Sequence, residues 1–152
     1  MNGCQDVTAY LGFMYICGNG VDKNVEKGLK YMEKAAMDCN DVNAMYNLGA
    51  LFQNGQELEK DLKKARYWLE KAAENGSGIA CFNLGLLNES SDNKKELEER
   101  FEWHLRGASL GNTECMRSII RCYREGIGTD RSDSEAERWH DRCIEVGKTD
   151  LR

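Results

Sequence analysis

Cysteine and histidine are the side chains of this sequence best suited to metal binding, redox chemistry or nucleophilic catalysis. The chain has seven cysteines and two histidines, His104 and His140, in 152 residues. The number of cysteines is odd, and none of them form the C-x-x-C pair that is typical of zinc and redox sites. We therefore expect no metal site, no cofactor and no catalytic residue.

Two glycine pairs could be mistaken for phosphate-binding loops. Gly18 and Gly20 flank a single residue, as do Gly126 and Gly128. A phosphate site needs such a loop between a strand and a helix. Both pairs instead lie between segments with helical periodicity, so we interpret them as turns that join two helices.

One residue pattern occurs four times along the chain. A Leu-Gly or Ile-Ile pair marks the first half of each copy, in steps of 37, 36 and 35 residues. An aromatic residue and a Lys-Ala-Ala or related triplet mark the second half. The four pairs begin at Leu11, Leu48, Leu84 and Ile119, and the aromatic residues are Tyr31, Trp68, Trp103 and Trp139. A period of this size is typical of a solenoid whose repeats are helix pairs.

Apolar spacing within each copy predicts two helices. In the second copy Ala44, Leu48 and the pair 51–52 lie on one helical stripe. Glycines at equivalent mid-helix positions (Gly12, Gly49 and Gly85) predict helices that approach too closely for a Cβ atom. Gly76, Gly111 and Gly147, with Asn40 in the first copy, predict left-handed residues at the ends of the second helices.

These patterns predict one all-α domain. We expect eight helices near residues 5–17, 23–37, 42–54, 60–74, 78–89, 93–109, 113–125 and 132–146. They group into repeats near residues 5–40, 41–77, 78–112 and 113–147 of a single domain that spans 1–152.

Composition excludes several other classes of protein. The chain is 41% hydrophobic and 31% charged, has no proline and carries a net charge of −5. Its apolar runs are too short for a membrane-spanning helix, and its first twenty residues do not read as a secretory signal. The acidic balance argues weakly against a nucleic-acid partner. We expect a cytoplasmic protein that binds neither membrane nor nucleic acid.

The cysteines fit the core of the repeat. Cys143 occupies the position of Ala35 and Ala72, and Cys115 that of Ala44 and Ala80. A free cysteine behaves as a small apolar residue. We therefore predict that most cysteines are buried thiols in a reducing compartment, in preference to a disulfide framework. The histidines likewise share a position with Met32 and Leu69, which favours packing over metal binding.

The repeat resembles a known family, the Sel1-like repeat. The resemblance rests on the run from Leu11 to Val21, on Tyr31 and on Lys34-Ala35-Ala36, and the second copy matches over Ala44 to Gly76. The third copy departs from the pattern, since residues 88–93 replace the G-x-G turn with one residue fewer. The resemblance implies a right-handed α/α solenoid, related to tetratricopeptide repeats, that serves as an adaptor for other proteins.

One column of the first helices is polar in every copy after the first. It reads Tyr10, Asn47, Asn83 and Ser118. Asparagine is a poor helix-interior residue, and its amide can pair with the backbone of an extended peptide. Tetratricopeptide-type grooves use asparagine in this way, so the resemblance implies that this column contacts a partner. The alternative is that these side chains bond neighbouring turns or face water.

Arg117, Arg121 and Arg124 form a basic stripe at helical spacing on the last copy. The same columns in earlier copies are mostly apolar, as expected of a surface that the next repeat covers. We favour a solvated end cap for these arginines, and the alternative is that they bind carboxylates of a partner.

Two further functions stand beside the adaptor. A small acidic protein of this kind can neutralise one enzyme, through an acidic or loop surface that includes Asn88 to Asn93. Some cysteine-rich Sel1-like proteins bind or hydrolyse penicillins, but their paired cysteines do not occur in this sequence. The sequence carries no information on the partner's identity, on the pathway or on the oligomeric state.

Overall fold

The computed structural model describes residues 3–150, and their side chains over 7–148. Eight helices occupy this range: α1 (Gly3–Cys17), α2 (Val25–Asp38), α3 (Val42–Asn54), α4 (Leu62–Glu74), α5 (Gly78–Leu87), α6 (Lys94–Ser109), α7 (Thr113–Glu125) and α8 (Asp133–Asp150). The all-α class and the four helix pairs are confirmed.

The helices pack in two compact units, Met1–Asn75 and Gly76–Arg152. In the first unit α1 packs on α2, α3 on α4, and α2 on α3. In the second unit α5 packs on α6, α7 on α8, and α6 on α7, while α5 also touches α7. Each unit therefore holds two repeats, and a single domain over 1–152 stays a prediction.

Polar caps and left-handed residues set the helix ends. The Asp41 carboxylate accepts hydrogen bonds from the backbone N–H groups of the first turn of α3, and the Ser132 hydroxyl accepts one from Glu135 N–H at 3.3 Å. Gly76, Gly111 and Asn40 have positive φ, as predicted. The predicted cap at Gly147 is wrong, because glycine permits a left-handed conformation without requiring it and α8 continues to Asp150.

The mid-helix glycines allow close packing within three helix pairs. A Cβ atom on Gly12, Gly49 or Gly85 would lie within 3.0 Å of the side chain of Met32, Leu69 or His104 respectively. Real Cβ atoms essentially never come so close to a neighbour. The predicted role of this glycine column is therefore confirmed.

Three cysteines lie in the core of the second unit. Cys81, Cys115 and Cys122 are at most 1% exposed, and burial raises the pKa of the Cys115 thiol to about 12. These three are buried thiols, as predicted for the core positions, but the prediction that most of the seven cysteines are buried thiols is not confirmed. Cys17 and Cys143 are also free but half-buried. Cys143 is on the last helix, α8, and among the described helices only α7 makes extensive contact with α8.

Cys39 contradicts the expectation of a reduced thiol, because it is disulfide-bonded. It lies at the C-terminal cap of α2, where the chain turns away from the helix, and not on a core-facing position. The side chain of Cys4 lies outside the described residues.

His104 packs in the core more deeply than predicted. It is 1% exposed, lies against Gly85, and its ring centroid is 5.7 Å from that of Phe82. Burial, reinforced by the Arg100 charge, lowers the pKa of His104 from 6.5 to about 4. The predicted packing role does not extend to His140, whose side chain is 54% exposed on α8.

Adding one methyl group to two different glycines should change stability in opposite directions. Gly85→Ala places a methyl group against the buried His104 ring, and overpacking of this kind costs about 1–3 kcal/mol. Gly147→Ala adds a methyl group inside α8 where nothing lies within 4 Å, so helix propensity should stabilise it by about 0.5–1 kcal/mol. Urea unfolding measures both, and a stabilised Gly85→Ala variant would contradict the packing.

Thiol labelling should separate the cysteines by burial. Native protein treated with a thiol-reactive disulfide at pH 8 should leave Cys81, Cys115 and Cys122 unmodified, because their thiols are buried and protonated. Denaturant should expose all three. Peptide mapping by mass spectrometry assigns the sites, and rapid native labelling of Cys115 would refute its burial.

Acid should destabilise the fold through His104. In the unfolded chain the His104 imidazole binds a proton below pH 6.5, whereas in the folded chain it binds a proton only near pH 4. Stability is therefore lost as the pH falls between these values, by up to about 3 kcal/mol. His104→Met introduces the residue of the first repeat and should remove this part of the pH dependence. Parallel unfolding curves at pH 7 and 4.5 provide the measurement, and an equal loss in both proteins would exclude His104 as the cause.

Candidate partner-binding surface

The first unit contains a pocket between α1 and α3. It has a volume of about 370 Å³, and we call it the first pocket. Its lining comprises Ala9, Tyr10, Phe13, Met32, Asp41, Asn43 and Asn47. Tyr10 is 63% exposed, and Asn47 is exposed as well. Two of the predicted partner-binding residues therefore meet at one site.

The second unit contains a smaller pocket that is lined by residues of α5, α6 and α7 and by Glu89 after α5. Its volume is about 240 Å³, and we call it the second pocket. Its lining comprises Phe82, Leu86, Glu89, Arg100, His104, Glu114, Arg117, Ser118 and Arg121. Three further predicted residues, Ser118, Arg117 and Arg121, therefore share this site.

The two pockets occupy the same place in the repeat. By the spacing of the repeat, Phe13 of the first copy corresponds to Leu86 of the third, and Met32 corresponds to His104. Asn47 of the second copy corresponds in the same way to Ser118 of the fourth. Each unit thus forms one pocket from equivalent positions but with different side chains.

Two predicted residues lie elsewhere. Asn83 is half-buried on α5 and already has an interaction partner, and neither pocket lining includes it. Arg124 is exposed on α7 and lies outside the lining of the second pocket. The structure therefore divides the predicted arginine stripe, because Arg117 and Arg121 line the pocket and Arg124 does not.

The face expected to be covered by the next repeat is partly open. Phe13 is 46% exposed and lines the first pocket, whereas Ile16 is fully buried against Gly28 of α2. Residues at positions i, i+4 and i+7 form a broad stripe along a helix. Ile16 lies on the side of this stripe that contacts α2, and Phe13 lies on the side that faces the pocket. This expectation was wrong for Phe13 and for its equivalent Leu86, which lines the second pocket.

The two exposed arginines of the second pocket have local acidic partners on α7. Arg117 Nη1 lies 2.6 Å from Glu114 Oε1, and Arg121 Nε lies 3.3 Å from Glu125 Oε1. All four side chains are more than half exposed. Exposed pairs of this kind contribute about 0–1 kcal/mol, so they are easily exchanged for other partners.

Arg100 is the pocket residue that sequence reasoning missed. It is 9% exposed, and its Nη1 donates a 3.3 Å hydrogen bond to the Glu89 carbonyl oxygen. Its Nε is buried without a hydrogen-bond partner among the described residues. The sequence did contain a signal for Arg100. The other three repeats have a small residue at this position, namely Gly28, Ala65 and Ala136, so an arginine is unexpected.

The early end of α5 makes room for Arg100. The residue of the third repeat equivalent to Ile16 is Glu89, but α5 ends at Leu87. Ile16, which fills the corresponding space in the first repeat, would collide with any side chain at Gly28. Asn88 fixes the shortened end by donating hydrogen bonds to the Glu96 carbonyl and to Glu99 Oε2.

The chain is similar in sequence to several curated proteins. Cytochrome c oxidase assembly factor 7A from Xenopus laevis is 25% identical over 152 residues, covering 91% of this chain and 63% of the relative. An ERAD-associated E3 ubiquitin-protein ligase component from Arabidopsis thaliana is 43% identical over 56 residues, covering 36% of this chain and 9% of the relative. The chain spans less than two thirds of the length of these curated relatives.

Two solved structures have the same fold. A Sel1 repeat protein from Oxalobacter formigenes superposes with a TM-score of 0.72 at 30% identity, covering 92% of this chain and 57% of that one. A protective antigen of uropathogenic Escherichia coli that displays an SLR fold gives a TM-score of 0.78 at 28% identity, covering 94% and 31%.

The sequence model of the Sel1 repeat matches residues 7–38, 42–77, 78–112 and 118–142. These segments make up most of the chain, and each falls on one of the four helix pairs of the structure, the fourth covering part of α7 and of α8. The chain belongs to the Sel1 repeat family.

Proposed function

We propose that this chain is a protein-interaction module that binds a segment of a partner protein in the pockets of its two units. The observation that carries the proposal is the Asn47 amide. It is exposed on α3 at the rim of the first pocket, and it makes no hydrogen bond among the described residues. An amide in this state can donate to and accept from the backbone of an extended peptide.

The surroundings of Asn47 suit a peptide. Tyr10 and Phe13 expose aromatic rings beside it, and aromatic side chains are enriched in the buried centres of protein interfaces. Asp41 lies in the same lining, but its carboxylate already accepts hydrogen bonds from the first turn of α3. The first pocket therefore offers apolar contact and two side-chain amides, those of Asn43 and Asn47, that make no hydrogen bond among the described residues.

The names of the relatives agree with such a role. One is an assembly factor and another is a component of a ubiquitin ligase. We extend from these names only the general property of binding other proteins.

The proposal includes the absence of catalysis by this chain. The three core thiols have raised pKa values caused by burial, and a buried protonated thiol is a poor nucleophile. A chromogenic β-lactam tests the competing hydrolase. Turnover that depends on a cysteine and exceeds that of denatured protein would overturn this part of the proposal.

A cytoplasmic location is also part of the proposal. The five free cysteines among the residues with described side chains favour a reducing compartment, while the disulfide at Cys39 is more typical of an oxidising one. Among the described helices, none has both the length and the apolarity needed to cross a membrane. Fractionation of the source cell, with the chain detected by antibody, tests the location.

Substitutions at the first pocket should weaken partner binding. We expect Asn47→Ala and Tyr10→Ala each to reduce affinity about fivefold or more, since one lost pairing at such a contact costs about 1 kcal/mol. The partner is recovered by pull-down from source lysate and identified by mass spectrometry. Affinity is then measured by calorimetry with the purified partner.

Asn19→Ala provides the matched control for this experiment. Asn19 is an exposed amide in the turn after α1 and lies outside the lining of the first pocket. Unchanged affinity of the Asn47 and Tyr10 variants, with helicity and melting intact, would rule out the first pocket. If the partner is an enzyme that the chain inhibits at one-to-one stoichiometry, the module acts as a neutralising protein and not as an adaptor.

A further inference from the structure

Arg100 presents an uncompensated charge beneath the second pocket. Its side chain is nine-tenths buried, and among the described residues its guanidinium forms no ion pair. It has one hydrogen bond, to the Glu89 carbonyl oxygen at 3.3 Å, and an unpartnered Nε. A buried cation without an anionic partner is costly to the fold.

The chemistry of the pocket identifies the missing partner as a carboxylate. Arg100, Arg117 and Arg121 all line this one pocket, and a guanidinium group matches a carboxylate in shape and charge. The glutamates of this lining do not satisfy Arg100, since Glu114 pairs with Arg117 and Glu89 contributes only its carbonyl oxygen.

The size of the pocket limits what can enter. Its volume of about 240 Å³ lies below the roughly 300–1,000 Å³ that is usual for small-molecule sites. Phe82 and Leu86 provide an apolar wall that suits the methylene groups of a side chain. These dimensions fit one residue of a larger partner.

The first pocket shows that this charge is not a general property of the repeat. Its lining contains no arginine or lysine, and at the position of His104 it has Met32. Tyr46 and Ala50 occupy the positions equivalent to Arg117 and Arg121. The basic groups are specific to the second unit.

We propose that the second pocket binds the side chain of an aspartate or glutamate of the partner protein. Arg117 and Arg121 at the rim exchange their exposed intrahelical partners for the incoming carboxylate, and the buried charge of Arg100 attracts it from below. The inference rests on the proposed function and assigns the second unit a preference for acidic residues.

Titration of the full chain with small probes tests the site without a known partner. The probes are N-acetyl-glutamate N-methylamide, its glutamine analogue, and N-acetylalanine, which carries a carboxylate only at its C-terminus. Nuclear magnetic resonance of the 15N-labelled chain follows Arg100 Nε and the backbone of α7. We expect saturable shifts with the glutamate probe, at least fivefold weaker binding of N-acetylalanine, and no saturation with the glutamine analogue.

Paired variants of α7 supply the control. Arg117→Ala combined with Arg121→Ala should lower the affinity for the glutamate probe at least fivefold. Both side chains are exposed enough for the fold to tolerate the change. Arg124→Ala, on the same helix but outside the pocket lining, should bind as the parent does. The Arg100→Met variant should also fail to bind the glutamate probe. Unfolding curves of this variant check that it folds.

Three results would overturn the inference. These are equal shifts with the glutamate and glutamine probes, parental binding by the Arg117 and Arg121 double variant, and tighter binding of N-acetylalanine, which would indicate a terminal carboxylate. If the probe fails while a recovered partner still depends on Asn47 and Tyr10, only the inference fails. If the probe binds while those two variants keep parental affinity for the partner, the proposed function fails at the first pocket.

Discussion

The close approach of two helices within each repeat is the constraint on which the rest of this structure depends. At Gly12, Gly49 and Gly85 the missing side chain lets the opposite helix place Met32, Leu69 or His104 directly against the backbone. That contact sets the separation of the pair, and the separation decides which faces stay open as pocket walls. In the fourth repeat Ile120 replaces the glycine, and the residue in the opposite column, His140, is exposed.

The sequence predicted the helices well because their signals are local. Apolar spacing and residues that tolerate positive φ act over a few positions. They placed every described helix end within four residues of its observed position. Gly147 shows the limit of such signals, since a glycine allows a turn but the surrounding chain decides whether one forms.

The candidate site was only partly predictable. Aligning the four repeats shows which residues occupy equivalent positions, but it does not show where each helix ends. Tyr10, Asn47 and Ser118 of the polar column line the two pockets, and their contact with a partner stays a prediction. The alignment could not show that Asn83 is already engaged. Arg100 escaped notice because its surroundings depend on α5 stopping at Leu87, and the alignment of the repeats does not show where that helix ends.

The shortened third repeat links a change in chain length to a change in chemistry. The third repeat has one residue fewer in the connection after α5, and it has Arg100 at the position where the first repeat has Gly28 packed against Ile16. The two changes meet in the structure, because the Arg100 side chain donates a hydrogen bond to the carbonyl oxygen of Glu89, 11 residues earlier in the chain. In a repeat array of this kind, copies that share a backbone can therefore differ both in turn length and in the charge buried at one equivalent position.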